Sequence, residues 1–219
     1  MRAVIPFKKE NAKSRLSEVL LENQRQEFAL KMLYDVITSL VHSGQFNEID
    51  ILNSSVSSVL NTDFPPDVNV LVSEKNLNDA LNEYLDKAAS HSNEEILIIM
   101  ADMPLVTEKQ ICQMTDLKGD VVISAGSRGG TNALLIRRPD VFYVDYYGLS
   151  FLDHLRIAKE TELEVNVYDS FLVSTDMDEP DDLIELMIHG RGRAMEYLKT
   201  LGISLDTNAG TLDLSKKIS

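Results

Sequence analysis

Cysteine is almost absent from this chain: Cys112 is the only one. No intramolecular disulfide can form, and no cysteine-based zinc site can be assembled within the chain. Cys112 follows Ile111 in a helical stretch and is expected to be a small core residue. Long apolar runs are missing too, so no segment can span a bilayer as a helix. The run Met1-Arg-Ala-Val-Ile-Pro6 is interrupted by Pro6 and Lys8 too early for a signal peptide, which makes a reducing cytoplasm the default expectation. Cations are scarce: Lys and Arg number 21 against 35 Asp and Glu, a net charge of −14. That balance argues against nucleic acid or an anionic membrane as partner, because both need a broad basic footprint. It leaves room for a small anionic ligand, since a few local cations or a bound metal can reverse the field inside one pocket. No Gly-rich segment ends in Gly-Lys-Ser/Thr, so there is no P-loop, and no Ser/His/Asp or Cys/His arrangement stands out.

What is present is a chain of 219 residues, 44% hydrophobic, enough for one large domain with a sizeable core. Short apolar runs alternate with helical periodicity, without repeats or linkers. Strands are expected at Ala3–Ile5, Ile49–Leu52, Val68–Val72, Ile96–Met100, Val121–Ile123 and Ala133–Ile136. Ile96 to Met100 is apolar throughout, as in a central parallel strand buried on both faces. A long helix is expected from about Ser17 to Ser43, with Ala29, Leu33, Val36, Ile37 and Leu40 on one face and Gly44 as its stop. Val56, Val59 and Leu60 suggest a short helix, and Leu77, Leu81 and Leu85 another. Thr107 and Ser150 read as caps of further helices. Val165–Tyr168 and Leu172-Val173 read as strands, Pro180 as a helix start, and Arg193–Leu201 as a last helix. The expectation is a single α/β domain over 1–219 with a mainly parallel sheet, a helical C-terminal extension from about 190, and a loosely held polar tail from about 204. Ligands of such sheets sit beyond the carboxyl ends of the strands. The loops to watch are therefore Phe7–Ser14, Asn53–Ser55, Ser73–Asn78 and Ala101–Pro104.

Three constellations could carry chemistry. Lys8, Lys9, Lys13 and Arg15 crowd the loop between the first strand and the first long helix, where helix N–H groups also favour anions. They suit a triphosphate, although a solvated charge run has the same composition. Asp102 ends the most apolar strand, and Asp176 and Asp178 follow a later strand-like segment. Carboxylates at i and i+2 of extended chain point to one side, so all three could converge on Mg2+, with phosphates and water completing its shell. A turn aspartate at Asp102 and a helix cap at Asp178 remain the plain readings. Gly129-Gly-Thr-Asn132, Gly148, Ser150 and His154 combine close backbone approach with neutral donors and a helix N-terminus suited to phosphate or carboxylate. Two ordinary turns and a structural histidine are the alternative.

In order along the chain, Pro6-x-Lys8 with Ala12-Lys-Ser-Arg-Leu16, Ala101-Asp-Met-Pro-Leu105, Gly130-Thr-Asn-Ala-Leu134, Gly148-x-Ser150-Phe151 with His154, and Asp176-x-Asp178-x-Pro180-x-Asp182-Leu183 resemble the 2-phospho-L-lactate guanylyltransferase family of coenzyme F-420 biosynthesis. The resemblance spans roughly residues 1–190. It implies a glycosyltransferase-A-like, nucleotide-diphospho-sugar transferase fold. It also implies an enzyme that joins GMP from GTP to 2-phospho-L-lactate, or to a close three-carbon phosphoacid such as phosphoenolpyruvate, and releases pyrophosphate. On that resemblance Asp102, Asp176 and Asp178 match the metal ligands, and Thr131, Gly148 and Ser150 match the phosphoacid-binding positions. Lys8, Lys13 and Arg15 would hold the triphosphate, and Asn132 and His154 would add contacts to the ligand. A homodimer is implied, with the helix around Arg193–Leu201 as a candidate interface. Two departures stand out. Asn76-Leu-Asn78 replaces a common Gly-Leu-Asn, which bears on Asn78 as a nucleotide contact, and the loop Gly148-Leu-Ser150 is about a residue short. A cytidylyl- or molybdopterin guanylyltransferase of the same fold, and a non-catalytic nucleotide-binding module, are the competing expectations.

Overall fold

The computed structural model describes residues 1–9, 13–54, 64–91, 94–208 and 211–216. Seven strands form one sheet: β1 (Arg2–Phe7), β2 (Glu48–Asn53), β3 (Val68–Val72), β4 (Ile96–Ile99), β5 (Val121–Ala125), β6 (Thr131–Ile136) and β7 (Val165–Val167), in the order β3-β2-β1-β4-β6-β5-β7. All neighbours are parallel except at β6, which runs antiparallel to both β4 and β5. The expected mostly parallel, mixed sheet flanked by helices is therefore present. The short helix expected at Val56–Leu60 lies outside the described residues.

Alternation along the strands divides the core in two. Ile96 and Ile98 of β4 join Val4, Leu134 and Ile136 on one face, under α2 (Leu77–His91) and α4 (Ser150–Glu160). Leu97 and Ile99 join Ile5, Ile49 and Ile51 on the other. That face is covered by α1 (Glu22–Ser43), α3 (Glu108–Asp116), α6 (Pro180–His189) and α7 (Arg193–Thr200). Each β4 side chain contributes roughly 1.5–3 kcal/mol on burial, which is why an uninterrupted apolar strand belongs between two covered faces.

Several local expectations are corrected. Residues Ser14–Glu18 form a separate 3-10 turn, so α1 begins at Glu22 rather than near Ser17. Leu172-Val173 belongs to α5 (Phe171–Ser174), a single helical turn, because the pair has no strand neighbour; Tyr168 returns its amide to Ile123. Ser150 is the first residue of α4 rather than its cap. Cys112 is half-buried rather than core, its thiol 3.7 Å from the Ser43 carbonyl. Within the expected polar tail, β8 (Ile203–Asn208) and β9 (Thr211–Lys216) pair antiparallel, with Ile203 and Leu214 packed on the core. In α7, Ala194 and Leu198 are buried against the core and Arg193 stacks over the Tyr34 ring of α1. Asp35 of α1 accepts from the Arg193 and Ala194 amides at 2.7 and 2.9 Å and so caps α7. A side chain at Gly192 would collide with that carboxylate. Among the described residues, no helix is long and apolar enough to cross a membrane.

Candidate active site

β4 ends at Ile99, and the chain turns through the apolar Met100 and Ala101 to Asp102. Opposite, Asp176 and Asp178 flank Met177, which is fully buried. The Met177 amide donates to the Asp102 carbonyl at 3.0 Å. That bond holds the two segments together, and with the Met177 side chain in the core the carboxylates on either side of it face that of Asp102. Asp182, in the first turn of α6, accepts from the Asp178 and Glu179 amides at 2.9 and 2.7 Å and fixes the end of the segment. One oxygen from each of Asp102, Asp176 and Asp178 then lies within 4.8 Å of the others. Asp178 is not the cap of α6; that position is Glu179.

Lys13 completes the cluster. Its backbone is left-handed (φ 55°), and its ammonium donates to Asp102 at 2.5 Å and to Asp178 at 2.6 Å. Burial opposes the Lys13 charge, but the two carboxylates outweigh it and raise its pKa. Burial likewise pushes Asp178 up, yet Lys13, Arg15 and Arg128 hold it below its usual range. At Asp176, burial and the Asp102 charge outweigh the hydrogen bond from Asn132 and raise it. Three oxygen donors, one pair bridged by an ammonium and the third repelled by its neighbouring carboxylates, fit a hard divalent cation.

The neighbouring space is in two parts that share Pro6, Phe7, Lys8 and Met100. A cavity of about 370 Å³ is lined by Lys8, Lys13, Ser14, Arg15, Asp102 and Asp178. A more apolar one of about 470 Å³ lies beyond β2 and β3, between Asn53, Ser54, Ser73, Asn76, Leu77 and Tyr147. Both open at carboxyl ends of parallel strands, where the loops after β1, β2, β3 and β4 meet. Arg15 is exposed and stands 3.6 Å from Asp178.

On the far side of Asp102 the Met100 amide donates to the Asn132 carbonyl, placing the start of β6 beside the carboxylates. Gly129 is left-handed (φ 79°), and its carbonyl accepts from the Phe151 amide at the start of α4. Thr131 and Ser150 are thereby joined, hydroxyl to hydroxyl, at 3.3 Å. Gly148, also left-handed (φ 76°), sits in the exposed loop above them.

Three expected ligand contacts are placed elsewhere. Asn132 donates to the Val173 carbonyl and to Asp176, so it orients a carboxylate from behind. Asn78 is tied to Asp145 and to the Tyr146 amide, both at 2.8 Å, and pins α2 to the loop before Gly148. His154 is buried behind Thr131 rather than facing the opening, and burial pushes its imidazolium down to about 4 against the charges of Asp145 and Asp153. Arg128 was missed. It pairs with Glu179 at 2.9 Å and reaches toward Asp182, on the rim beside Asp178. Its place in the turn that carries Gly129 and Gly130 was the available signal.

A carboxylate trio and a Lys-rich loop at the strand ends of this sheet define a nucleotidyltransferase of the nucleotide-diphospho-sugar transferase fold. Solved structures agree on the fold. A nucleotide-diphospho-sugar transferase-type protein from Desulfovibrio desulfuricans G20 matches with TM-score 0.72 at 16% identity, over 91% of this chain and 94% of that one. The 4-diphosphocytidyl-2C-methyl-D-erythritol synthase of Anaerococcus prevotii matches with TM-score 0.58 at 13% identity, over 90% and 95%. Within that class, the chain belongs to the family described as Guanylyl transferase CofC like, which it matches over residues 1–217. The 2-phospho-L-lactate guanylyltransferase of Methanococcoides burtonii is 51% identical over 197 residues, 90% of this chain and 88% of that protein. The protein of the same name from Methanocella arvoryzae is 45% identical over 220 residues, 100% of this chain and 94% of that protein.

Proposed function

We propose that this chain transfers GMP from GTP to 2-phospho-L-lactate, releasing pyrophosphate, in the biosynthesis of coenzyme F-420. The observation that carries the reading is the meeting of Asp102, Asp176 and Asp178 beside Lys13 at the strand ends, in a chain 51% identical over 197 residues to a 2-phospho-L-lactate guanylyltransferase.

A phosphate oxygen of the acid forms the new bond to the α-phosphorus of GTP. The bond from that phosphorus to the bridging oxygen of the β-phosphate breaks, and its electrons leave with pyrophosphate. The acceptor phosphate is already an anion near neutral pH, so no side chain has to remove a proton from it. This agrees with a site built from carboxylates, cations and hydroxyls. Asp102, Asp176 and Asp178 would hold Mg2+, which when bound neutralises charge on the phosphoryl oxygens. Lys13, released from its two carboxylates, reaches the triphosphate together with Lys8 and Arg15, and these cations stabilise the leaving pyrophosphate. The apolar cavity between Leu77 and Tyr147 takes the nucleoside, with Asn53, Ser54, Ser73 and Asn76 offering polar contacts. Thr131, Ser150 and the Gly148 backbone orient the phosphoacid, which brings its phosphate to the carboxylate side.

The test is a pyrophosphate-release screen with Mg2+, the four NTPs and a panel of three-carbon phosphoacids. Release is expected with GTP and 2-phospho-L-lactate. Release with CTP and a polyol phosphate, and none with GTP and phospholactate, would overturn the assignment.

A further inference from the structure

His154 takes no direct part in the mechanism above, yet it is 1% exposed and both of its ring nitrogens are engaged. The Asp145 amide points at Nε2 from 3.1 Å. A backbone N–H can only donate, so Nε2 must be the bare, accepting nitrogen. Burial holds the ring neutral, so its single proton sits on Nδ1. Nδ1 lies 2.9 Å from the Thr131 hydroxyl oxygen, and the imidazole therefore donates to Thr131. Tyr146, edge-on at 4.9 Å between ring centroids, and Phe142 at 6.1 Å pack against the ring.

Counting protons gives the consequence. The Thr131–Ser150 pair holds two hydroxyl protons, and the link between the two oxygens uses one. The link to His154 uses the imidazole's own proton, so one hydroxyl proton of the pair is left over. With the opposite tautomer, Nδ1 would take the Thr131 proton, the Ser150 proton would fill the link, and none would remain. Thr131 is 3% and Ser150 2% exposed, so water is a poor competitor for this proton.

We propose that His154 is a positioning residue that sets the direction of this hydrogen-bond chain, so that the Thr131–Ser150 pair presents a donor to an anionic oxygen of the acceptor acid. The pair then selects an acceptor group that brings lone pairs and no proton, such as a deprotonated carboxylate or phosphate. This rests on Thr131 and Ser150 contacting the phosphoacid.

Two substitutions separate the role from packing. An asparagine amide overlays the Nδ1 position and can donate to Thr131; a glutamine amide overlays Nε2 and cannot. At saturating GTP, H154Q is expected to raise the KM for 2-phospho-L-lactate about tenfold or more, the loss of one hydrogen bond to a charged group. H154N is expected to stay within about threefold of wild type, and the KM for GTP to hold in both. Equal acceptor KM values for the two variants would overturn the proposal. T131V separates the proposal from the reading beneath it. If T131V leaves the acceptor KM unchanged, the acceptor-site assignment itself fails; if T131V raises it and H154Q does not, only the role of His154 fails. Nitrogen-15 spectra of the histidine rings in the wild-type protein need no variant to fold: near neutral pH the His154 proton is expected on Nδ1, and a proton on Nε2 would refute the argument.

Discussion

Lys13 stands where a divalent ion would have to enter, and replacing it with methionine should move two affinities in opposite directions. The Lys13 side chain is 11% exposed, and its ammonium makes two charge-assisted bonds, at 2.5 Å to Asp102 and 2.6 Å to Asp178. Hydrogen bonds to charged groups contribute roughly 1.5–3 kcal/mol each. An incoming ion has to displace both, while recovering part of that energy when the freed ammonium is rehydrated. A net obstacle of about 2 kcal/mol remains, close to thirtyfold in affinity. Lys13→Met keeps the length of the side chain and removes the charge. Mn2+ titrated into the nucleotide-free protein, followed by electron paramagnetic resonance, should therefore bind about thirtyfold tighter. GTP should bind about tenfold more weakly, since one cation facing the triphosphate is gone. The variant should also melt lower without metal, with Asp102 and Asp178 left facing each other, and recover as Mn2+ is added. Unchanged or weaker Mn2+ binding in a folded Lys13→Met protein would refute the reasoning, because the ammonium would then not compete for the carboxylates.

Asp102→Ala and Asp176→Ala should each lower kcat/KM by about 100-fold or more with circular dichroism unchanged; wild-type-like turnover by either would contradict the carboxylate cluster. Asp35→Ala leaves the first two amides of α7 without their acceptor and should cost about 2 kcal/mol in urea unfolding, with kinetic constants preserved; a loss below about 0.5 kcal/mol would show the cap to be unimportant. The His154 imidazole is held at about 4 against its ordinary 6.5, so the unfolded chain takes up the proton first as pH falls. The stability this contributes is complete above 6.5 and is lost as pH drops toward 4, about 3 kcal/mol in all. His154→Asn should lack that loss, and parallel pH–stability curves for the two proteins would contradict it.

The parts of this site legible in sequence were those carried by periodicity. The unbroken apolar run Ile96–Met100 announced a central strand, observed over Ile96–Ile99, and pointed to Asp102 just beyond it. The i, i+2 spacing of Asp176 and Asp178 anticipated two carboxylates on one side, with Met177 turned into the core. What stayed hidden depended on partners distant in the chain. Charge density identified the Lys-rich loop, but neither the left-handed backbone of Lys13 nor its bridge across 165 positions to Asp178 has a local signature. Asn78 and Asn132 look like ligand donors until Asp145, Tyr146 and Val173 are brought beside them. Leu172-Val173 is too short for its period to separate a strand from a helical turn. In the C-terminal hairpin, the polar residues between Ile203, Leu205, Leu212 and Leu214 concealed a period-two alternation.

On the proposed function, the carboxylate trio and its cations would join a guanylyl group to a phosphoacid. Phosphorus-31 resonance on a mixture of the protein, GTP, Mg2+ and 2-phospho-L-lactate tests it directly. A pair of mutually coupled resonances from a new phosphoanhydride is expected, growing in step with pyrophosphate and missing with Asp102→Ala. Inorganic phosphate and GDP as the only products, with phospholactate untouched, would contradict it.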